Sequence, residues 1–255
     1  MRIRILGCSG GIGAGSRTSA MLIDDDVLLD AGTGIGDLEL TDLHSIRHVF
    51  LTHAHLDHIA GLPMLIDSIF TDEVDMPVTV YGRTETLAAL QAHLFNWVIW
   101  PDFSKLPNEE RPMLRYVVCN PGDTIRIGHR DFHAIDVRHT VPTIGYTVRN
   151  SGGTFAVSGD TKTNQTLWPV LNDLQDLRAL IIEVSFPDEQ EELATIAGHY
   201  CPRTLCNDLA RLDHNADIWL TGMKPGAEDR ILAQVLAGVP DMRIRMLSRG
   251  TVITV

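Results

Sequence analysis

Apolar and polar positions alternate from the start of the chain. In residues 2–6, Arg-Ile-Arg-Ile-Leu, Ile3 and Ile5 share one face, the period-2 pattern of a half-buried strand. Short apolar runs bounded by turn residues predict further strands over 20–23, 27–29, 46–51, 78–81, 114–118, 124–127, 132–137, 144–148 and 154–157. Residues 179–184 are an apolar run interrupted only by Glu183, as in a strand buried on both faces. Strands are also expected over 217–220 and 243–247, with 251–255 beside the latter. Ile59, Leu62, Leu65, Ile66 and Ile69 recur at helical spacing, so 58–70 is expected as one amphipathic helix with Asp57 as its N-cap. Other helices are predicted over 85–98, 164–174, 202–212 and 228–236. Strands and helices alternate in two halves, which predicts an α/β fold: two sheets packed together with helices outside, residues 1–255 forming one domain.

Composition narrows the function classes. With 44% hydrophobic residues the chain can build a core, and no run approaches the roughly 18 apolar residues of a membrane span. Residues 1–6 lack the apolar stretch of a secretory signal, so a soluble cytoplasmic protein is expected. Cys8, Cys119, Cys201 and Cys206 do not form a disulfide framework or a zinc ribbon. Net charge is −12 and the 21 Lys and Arg are scattered, which argues against a large nucleic-acid surface. A small phosphate-bearing substrate remains compatible, because a bound divalent ion overrides global repulsion locally. Oligomeric state is left open, a homodimer included.

The strongest chemical signal is Thr52-His53-Ala-His55-Leu-Asp57-His58. Its four ligand-type residues fall within six positions, after an apolar strand. His53 and His55 are two apart and can point to one side of an extended segment. Asp57 and His58 come as the chain turns into a helix, which moves them to a neighbouring position. Two adjacent donor groups from one loop suit a pair of divalent ions, and imidazole with carboxylate favours zinc, manganese or iron over calcium.

His53-x-His55-x-Asp57-His58 resembles the signature of the metallo-β-lactamase superfamily. Further pieces follow in that family's order. Asp30, in Leu-Leu-Asp-Ala-Gly-Thr-Gly, resembles the aspartate that buttresses the metal loop. His139, in Arg-His-Thr-Val-Pro-Thr-Ile-Gly-Tyr, resembles the third histidine of the first metal, and Asp160, in Ser-Gly-Asp-Thr, the bridging carboxylate. The resemblance implies a four-layer αββα sandwich of two mixed sheets and a hydrolase with two divalent ions, zinc first among them. His53, His55 and His139 would hold one ion, Asp57 and His58 the other, with Asp160 shared and Asp57 orienting a metal-activated water. One position departs from the pattern. In Trp219-Leu-Thr-Gly222-Met-Lys-Pro225, Gly222 stands where the family offers a last histidine, so the second site is expected to bind more weakly unless His199 or His214 substitutes.

Within the superfamily, His-x-His-Leu-Asp-His-Ile-x-Gly-Leu resembles the class II 3′,5′-cyclic-nucleotide phosphodiesterases, and Leu94-Phe-Asn-Trp-Val-Ile-Trp-Pro is similar to a second segment of theirs. The implied reaction is hydrolysis of a 3′,5′-cyclic nucleotide such as cAMP to its 5′-monophosphate. Asn96, Trp97 and Trp100 are candidates to contact the base, aromatic faces being good stacking platforms, or else to pack a helix end on the core. Glu183 and His199, sixteen residues apart, resemble the Glu and His of ribonuclease Z. His199 is thus a candidate general acid oriented by Glu183, the alternative being an exposed histidine at a helix start. The Gly-rich segment 7–15 lacks a following helix and the Gly-Lys-Ser/Thr ending, so a hairpin near the site is expected rather than a phosphate loop. Two alternatives stand beside the phosphodiesterase: a ribonuclease Z-like or other hydrolase of this fold, and a degenerate metal-binding protein, for which Gly222 is the main support.

Overall fold

The computed structural model describes residues 1–71 and 76–255. Six strands build most of a first sheet: β1 (Arg2–Gly7), β2 (Ala20–Ile23), β3 (Val27–Ala31), β4 (His48–Phe50), β5 (Val78–Gly82) and β6 (Leu114–Val118). Seven build a second: β7 (Thr124–Ile127), β8 (Arg130–Val137), β9 (Thr143–Asn150), β10 (Gly153–Val157), β11 (Leu177–Glu183), β12 (Asp217–Thr221) and β13 (Ile244–Met246). The last strand, β14 (Val252–Thr254), returns to the first sheet. The strand orders are β14-β1-β2-β3-β4-β5-β6 and β13-β12-β11-β10-β9-β8-β7. Both sheets are mixed: β3 to β6 and β10 to β13 run parallel, the remaining pairs antiparallel.

Side-chain alternation along these strands sorts the core into layers. Ile3, Ile5, Met21, Leu29 and Phe50 face Phe132, Tyr146, Phe155 and Ile181 between the sheets. There Phe50 stacks on Phe132 with ring centroids 4.1 Å apart and planes at 8°. Alternate residues of the first sheet, such as Leu22, Leu28, Val49 and Val80, face outward. They lie under helices α1 (Leu40–Ser45), α2 (Leu56–Ile59), α3 (Leu62–Ser68) and α4 (Thr84–His93), whose Leu65, Ile66, Leu87 and Leu90 complete that cluster. On the far side, Leu180, Ile182 and Leu220 pack under α5 (Leu167–Asn172), α7 (Pro202–Leu209) and α8 (Glu228–Gly238), while α6 (Glu191–Ala197) precedes α7 in the chain. The result is the expected αββα sandwich. No helix among the described residues is long and apolar enough to cross a membrane, and all four cysteines are free.

Three local expectations need correction. The single helix over 58–70 is two, because the chain breaks at Ala60-Gly61. Gly61 donates its N–H to the Ala31 carbonyl at 2.8 Å, and a Cβ there would lie 2.5 Å from the Ile35 side chain. Close approach of α3 to the first sheet therefore requires glycine. Asp57 is not the N-cap; His55 holds that position, and Asp57 lies in the first turn of α2. Finally, 251–255 does not lie beside 243–247: β14 pairs with β1 in one sheet while β13 pairs with β12 in the other.

Parallel strands leave their carboxyl ends on one rim, where crevices form. Here the ends of β4, β10, β11 and β12 meet on that rim, with residues 51–58, 158–161, 183–185 and 221–224.

Candidate metal centre

The loop after β4 carries the histidine cluster, and Asp30 at the end of β3 holds it. Asp30 takes a left-handed backbone (φ 55°), rare for a non-glycine residue. This turns its buried carboxylate under the loop. It accepts the Thr52 N–H at 2.8 Å, the Thr52 hydroxyl at 3.0 Å and His58 Nδ1 at 2.6 Å. With its proton on that side, His58 turns Nε2 toward Asp160 Oδ2 at 3.4 Å and Asp57 Oδ2 at 3.8 Å. The Thr52 oxygen, having donated to Asp30, accepts from His53 Nδ1 at 3.0 Å. That leaves His53 Nε2 buried with no hydrogen-bond partner and 3.9 Å from Asp160 Oδ2. His139 follows β8 and donates Nδ1–H to the Gly198 carbonyl at 2.8 Å, so its Nε2 is the free lone pair, 3.1 Å from His55 Nδ1.

Two overlapping donor groups result. Ligand-type atoms of His53, His55 and His139 lie within 4.8 Å of one another, as do those of His53, His58 and Asp160. A third set, His139, Asp160 and His199, meets the same criterion. An unpartnered buried nitrogen is costly unless something occupies the position opposite. The orphaned His53 Nε2, ringed by imidazoles and a carboxylate, fits a divalent ion, and outer hydrogen bonds fix the rings of His53, His58 and His139 as metal ligands require.

Charge follows the same logic. Burial, with His58 nearby, holds His53 well below the usual histidine range. Burial likewise lowers His55, and it brings His139 down to about 4. All three are therefore neutral, the form that ligates a metal. His58 is opposite: burial depresses it, but Asp160 and Asp30 outweigh burial and raise it. Burial would raise Asp160, yet His58, His53 and His199 hold it well below the carboxylate range.

Beside this cluster, β11 ends in the buried Glu183, whose Oε1 accepts from Thr161 N at 3.0 Å and Tyr200 N at 3.3 Å. It lies 3.1 Å from His199 Nδ1, which is also 3.2 Å from the Ser185 hydroxyl and 4.0 Å from Asp160 Oδ2. Burial raises Glu183 and His199 pulls it back. For His199 burial is outweighed by Glu183 and Asp160, so it is raised. The pair thus holds a proton at the edge of the donor cluster.

A narrow cleft opens over these groups, lined by Asp57, His58, Asp160, Glu183, His199 and Gly222, with free space of about 20 Å³, the room of about one water. Gly222 is left-handed (φ 75°), and a Cβ there would meet Glu183 Cβ at 3.5 Å and Ser185 Oγ at 3.7 Å, ordinary contact. Of its two candidate substitutes, His199 enters the cluster and His214 does not. The Gly-rich segment forms a hairpin whose Gly10 and Cys8 bond the backbone at 222–223, which brings Cys8 to the cleft wall. Lys224 lines the cleft as well, its Nζ donating to the Gly10 carbonyl at 2.8 Å. Sequence reasoning passed over Lys224 and Ser185; their adjacency to positions 222 and 183 was the available signal.

Asn96, Trp97 and Trp100 do not line this cleft. The Asn96 amide donates to the Ala92 carbonyl at 3.0 Å and accepts the Val98 and Ile99 N–H groups, which organises its own loop. Trp100 packs on the outer core of the first sheet, while Trp97 is 58% exposed.

Comparison with known proteins agrees with this fold. The family model described as a Beta-lactamase superfamily domain matches residues 26–218, and the chain belongs to that family. It is a metal-dependent hydrolase of the metallo-β-lactamase superfamily. A probable 3′,5′-cyclic-nucleotide phosphodiesterase of Yersinia pestis is 27% identical over 250 residues, covering 82% of this chain and 71% of the relative. Ribonuclease Z of Clostridium beijerinckii is 31% identical over 160 residues, covering 56% and 47%. The crystal structure of unliganded yeast PDE1 superposes with a TM-score of 0.84 at 21% identity, covering 100% of this chain and 99% of that one, and so shares its fold.

Proposed function

We propose that the chain is a phosphodiesterase that hydrolyses 3′,5′-cyclic nucleotides to 5′-monophosphates. The observation that carries this reading is the Glu183–His199 pair, 3.1 Å apart and set against Asp160 at the edge of the donor cluster. It offers a proton donor where a phosphoester leaving group would emerge. The likeness to a probable cyclic-nucleotide phosphodiesterase over 82% of the chain supports the choice of substrate.

His53, His55 and His139 would hold one ion, and Asp57 and His58 a second, with Asp160 shared. Zinc suits these donors best, and manganese or iron also fit. Such ions supply Lewis acidity toward the phosphoryl oxygens and a water that ionises near neutral pH. Without a histidine at 222 the second position has fewer protein donors and binds more weakly. Asp57, on the cleft wall, orients the attacking water and takes its proton. Water adds to phosphorus, the P–O3′ bond breaks, and His199 gives its proton to the departing oxygen. Glu183 keeps the His199 ring in register and stabilises its charged form.

The test is a panel of cAMP, cGMP, generic nitrophenyl phosphodiesters and a precursor tRNA, run on the zinc- or manganese-loaded chain. The reading expects 5′-monophosphate from a cyclic nucleotide at the highest kcat/KM of the panel. Preferred cleavage of the tRNA would instead select the ribonuclease Z-like reading, which the net charge of −12 opposes.

A further inference from the structure

A second cavity borders His199. It has a volume of about 270 Å³ and is lined by Arg138, Lys162, Thr163, Thr195, Thr204 and His199 itself. His199 therefore forms a wall of both this cavity and the metal-lined cleft. The two spaces differ in scale: the cleft holds about one water, whereas the cavity approaches the ~300 Å³ of small-molecule sites. Their charge differs too. Lys162 points its Nζ at the cavity wall, donating to the Thr195 carbonyl at 3.2 Å. Among the described residues the Lys162 ammonium bonds to that carbonyl alone, and Arg138 bonds only through its backbone. The backbones of the two residues are tied together, Lys162 N donating to the Arg138 carbonyl at 2.8 Å. Two adjacent, unneutralised cations are notable in a chain with twelve excess negative charges. Lys and Arg side chains recognise phosphate oxygens by charge-assisted hydrogen bonds.

We infer that this cavity is an anion subsite for a second phosphoryl group, carried on the leaving-group side of the scissile diester. The placement rests on the proposed role of His199, which sits where the departing 3′-oxygen takes its proton. A cyclic mononucleotide has no second phosphate to place there. A linear dinucleotide with a 5′-phosphate has one, so short 5′-phosphorylated dinucleotides are a further substrate class. In pApA, water adds to the internal phosphorus, the P–O3′ bond breaks, and the leaving 5′-AMP carries its phosphate into the cavity.

Two measurements test this on the full chain, comparing wild type with the double variant Arg138→Gln, Lys162→Gln. The first is calorimetric titration with 5′-AMP of both proteins stripped of metal by chelator, so that the phosphate of this reaction product has no metal ion to sit on; it needs no turnover. A loss of about fivefold or more in affinity is expected in the variant, and equal affinity overturns the subsite. The second, on the metal-loaded chain, is the ratio of kcat/KM for pApA to that for ApA. Wild type should favour pApA about tenfold, the scale of one charge-assisted hydrogen bond, and the variant should bring the ratio toward one. A wild-type ratio near one, or a preference the variant retains, also overturns it. Failure of every diester to turn over would count against the phosphodiesterase reading, while the titration would still decide the subsite.

Discussion

His58 Nδ1 lies 2.6 Å from Asp30 Oδ2, and the same carboxylate accepts both the N–H and the hydroxyl of Thr52. One buried side chain thus sets the loop that carries His53 and the ring orientation of His58. Asp30→Ala removes the acceptor of four donors, the Ser19 hydroxyl included, so a stability loss of about 2–4 kcal/mol is expected. Metal affinity should fall roughly 10–100-fold, the usual effect of losing an outer partner. Thermal melting and competition against a zinc chelator measure the two effects. Unaltered metal affinity would remove Asp30 from the metal site.

Gly222 faces Glu183 and Ser185, and a Cβ there would be in ordinary contact with both. The Cβ of a histidine there meets no clash, but the residue must adopt φ near +75°, which costs on the order of 1–2 kcal/mol. Gly222→His is expected to melt slightly earlier without metal and to retain a second ion through dialysis better than wild type. Elemental analysis after dialysis reads the difference. Equal retention by both proteins would mean that the second position does not lack a donor from residue 222.

Removing the proton donor should matter most when the leaving group is poor. His199→Ala is expected to lower kcat on a cyclic nucleotide by roughly 10²–10⁴-fold and far less on a nitrophenyl diester. Glu183→Gln keeps the volume but not the charge, so the same selective pattern should appear in weaker form. Equal losses on both substrates would exclude proton donation.

Away from the site, Arg130 is buried and forks onto Asp26, with both contacts at 2.7 Å, and reaches Asp24 at 3.1 Å. Burial works to raise Asp26, but the guanidinium outweighs it and holds the carboxyl below its ordinary value. A depressed carboxyl contributes stability that is complete above its unfolded value of about 3.9 and is lost as pH falls through the folded one. Melting temperature should therefore drop on acidification below about pH 4, and Arg130→Met should lower stability at neutral pH and flatten that drop. An unchanged acid slope in the variant would assign the drop to other carboxyls.

Much of the donor cluster was visible in the sequence because His53, His55, Asp57 and His58 are neighbours in the chain. His139 and Asp160 were visible only through the order of their motifs, since nothing local in Arg-His-Thr or Ser-Gly-Asp points across the sheet. The layered fold followed from strand and helix periods. Less accessible was anything set by a distant partner. The break at Gly61 depends on Ile35, and β14 joins the first sheet because β1 offers a free edge. Asn96 looked available for a ligand, yet its amide serves the loop from 92 to 99. Lys224 reaches the cleft only because the Gly-rich hairpin closes over it.

Metal uptake addresses the account most directly. The chain, freed of metal by chelator and then dialysed against zinc, should take up two ions per molecule, one held more tightly. His53→Ala, which removes the orphaned nitrogen, should lose the tight ion. A chain that binds no more zinc than this variant would contradict the metal centre and the chemistry built on it.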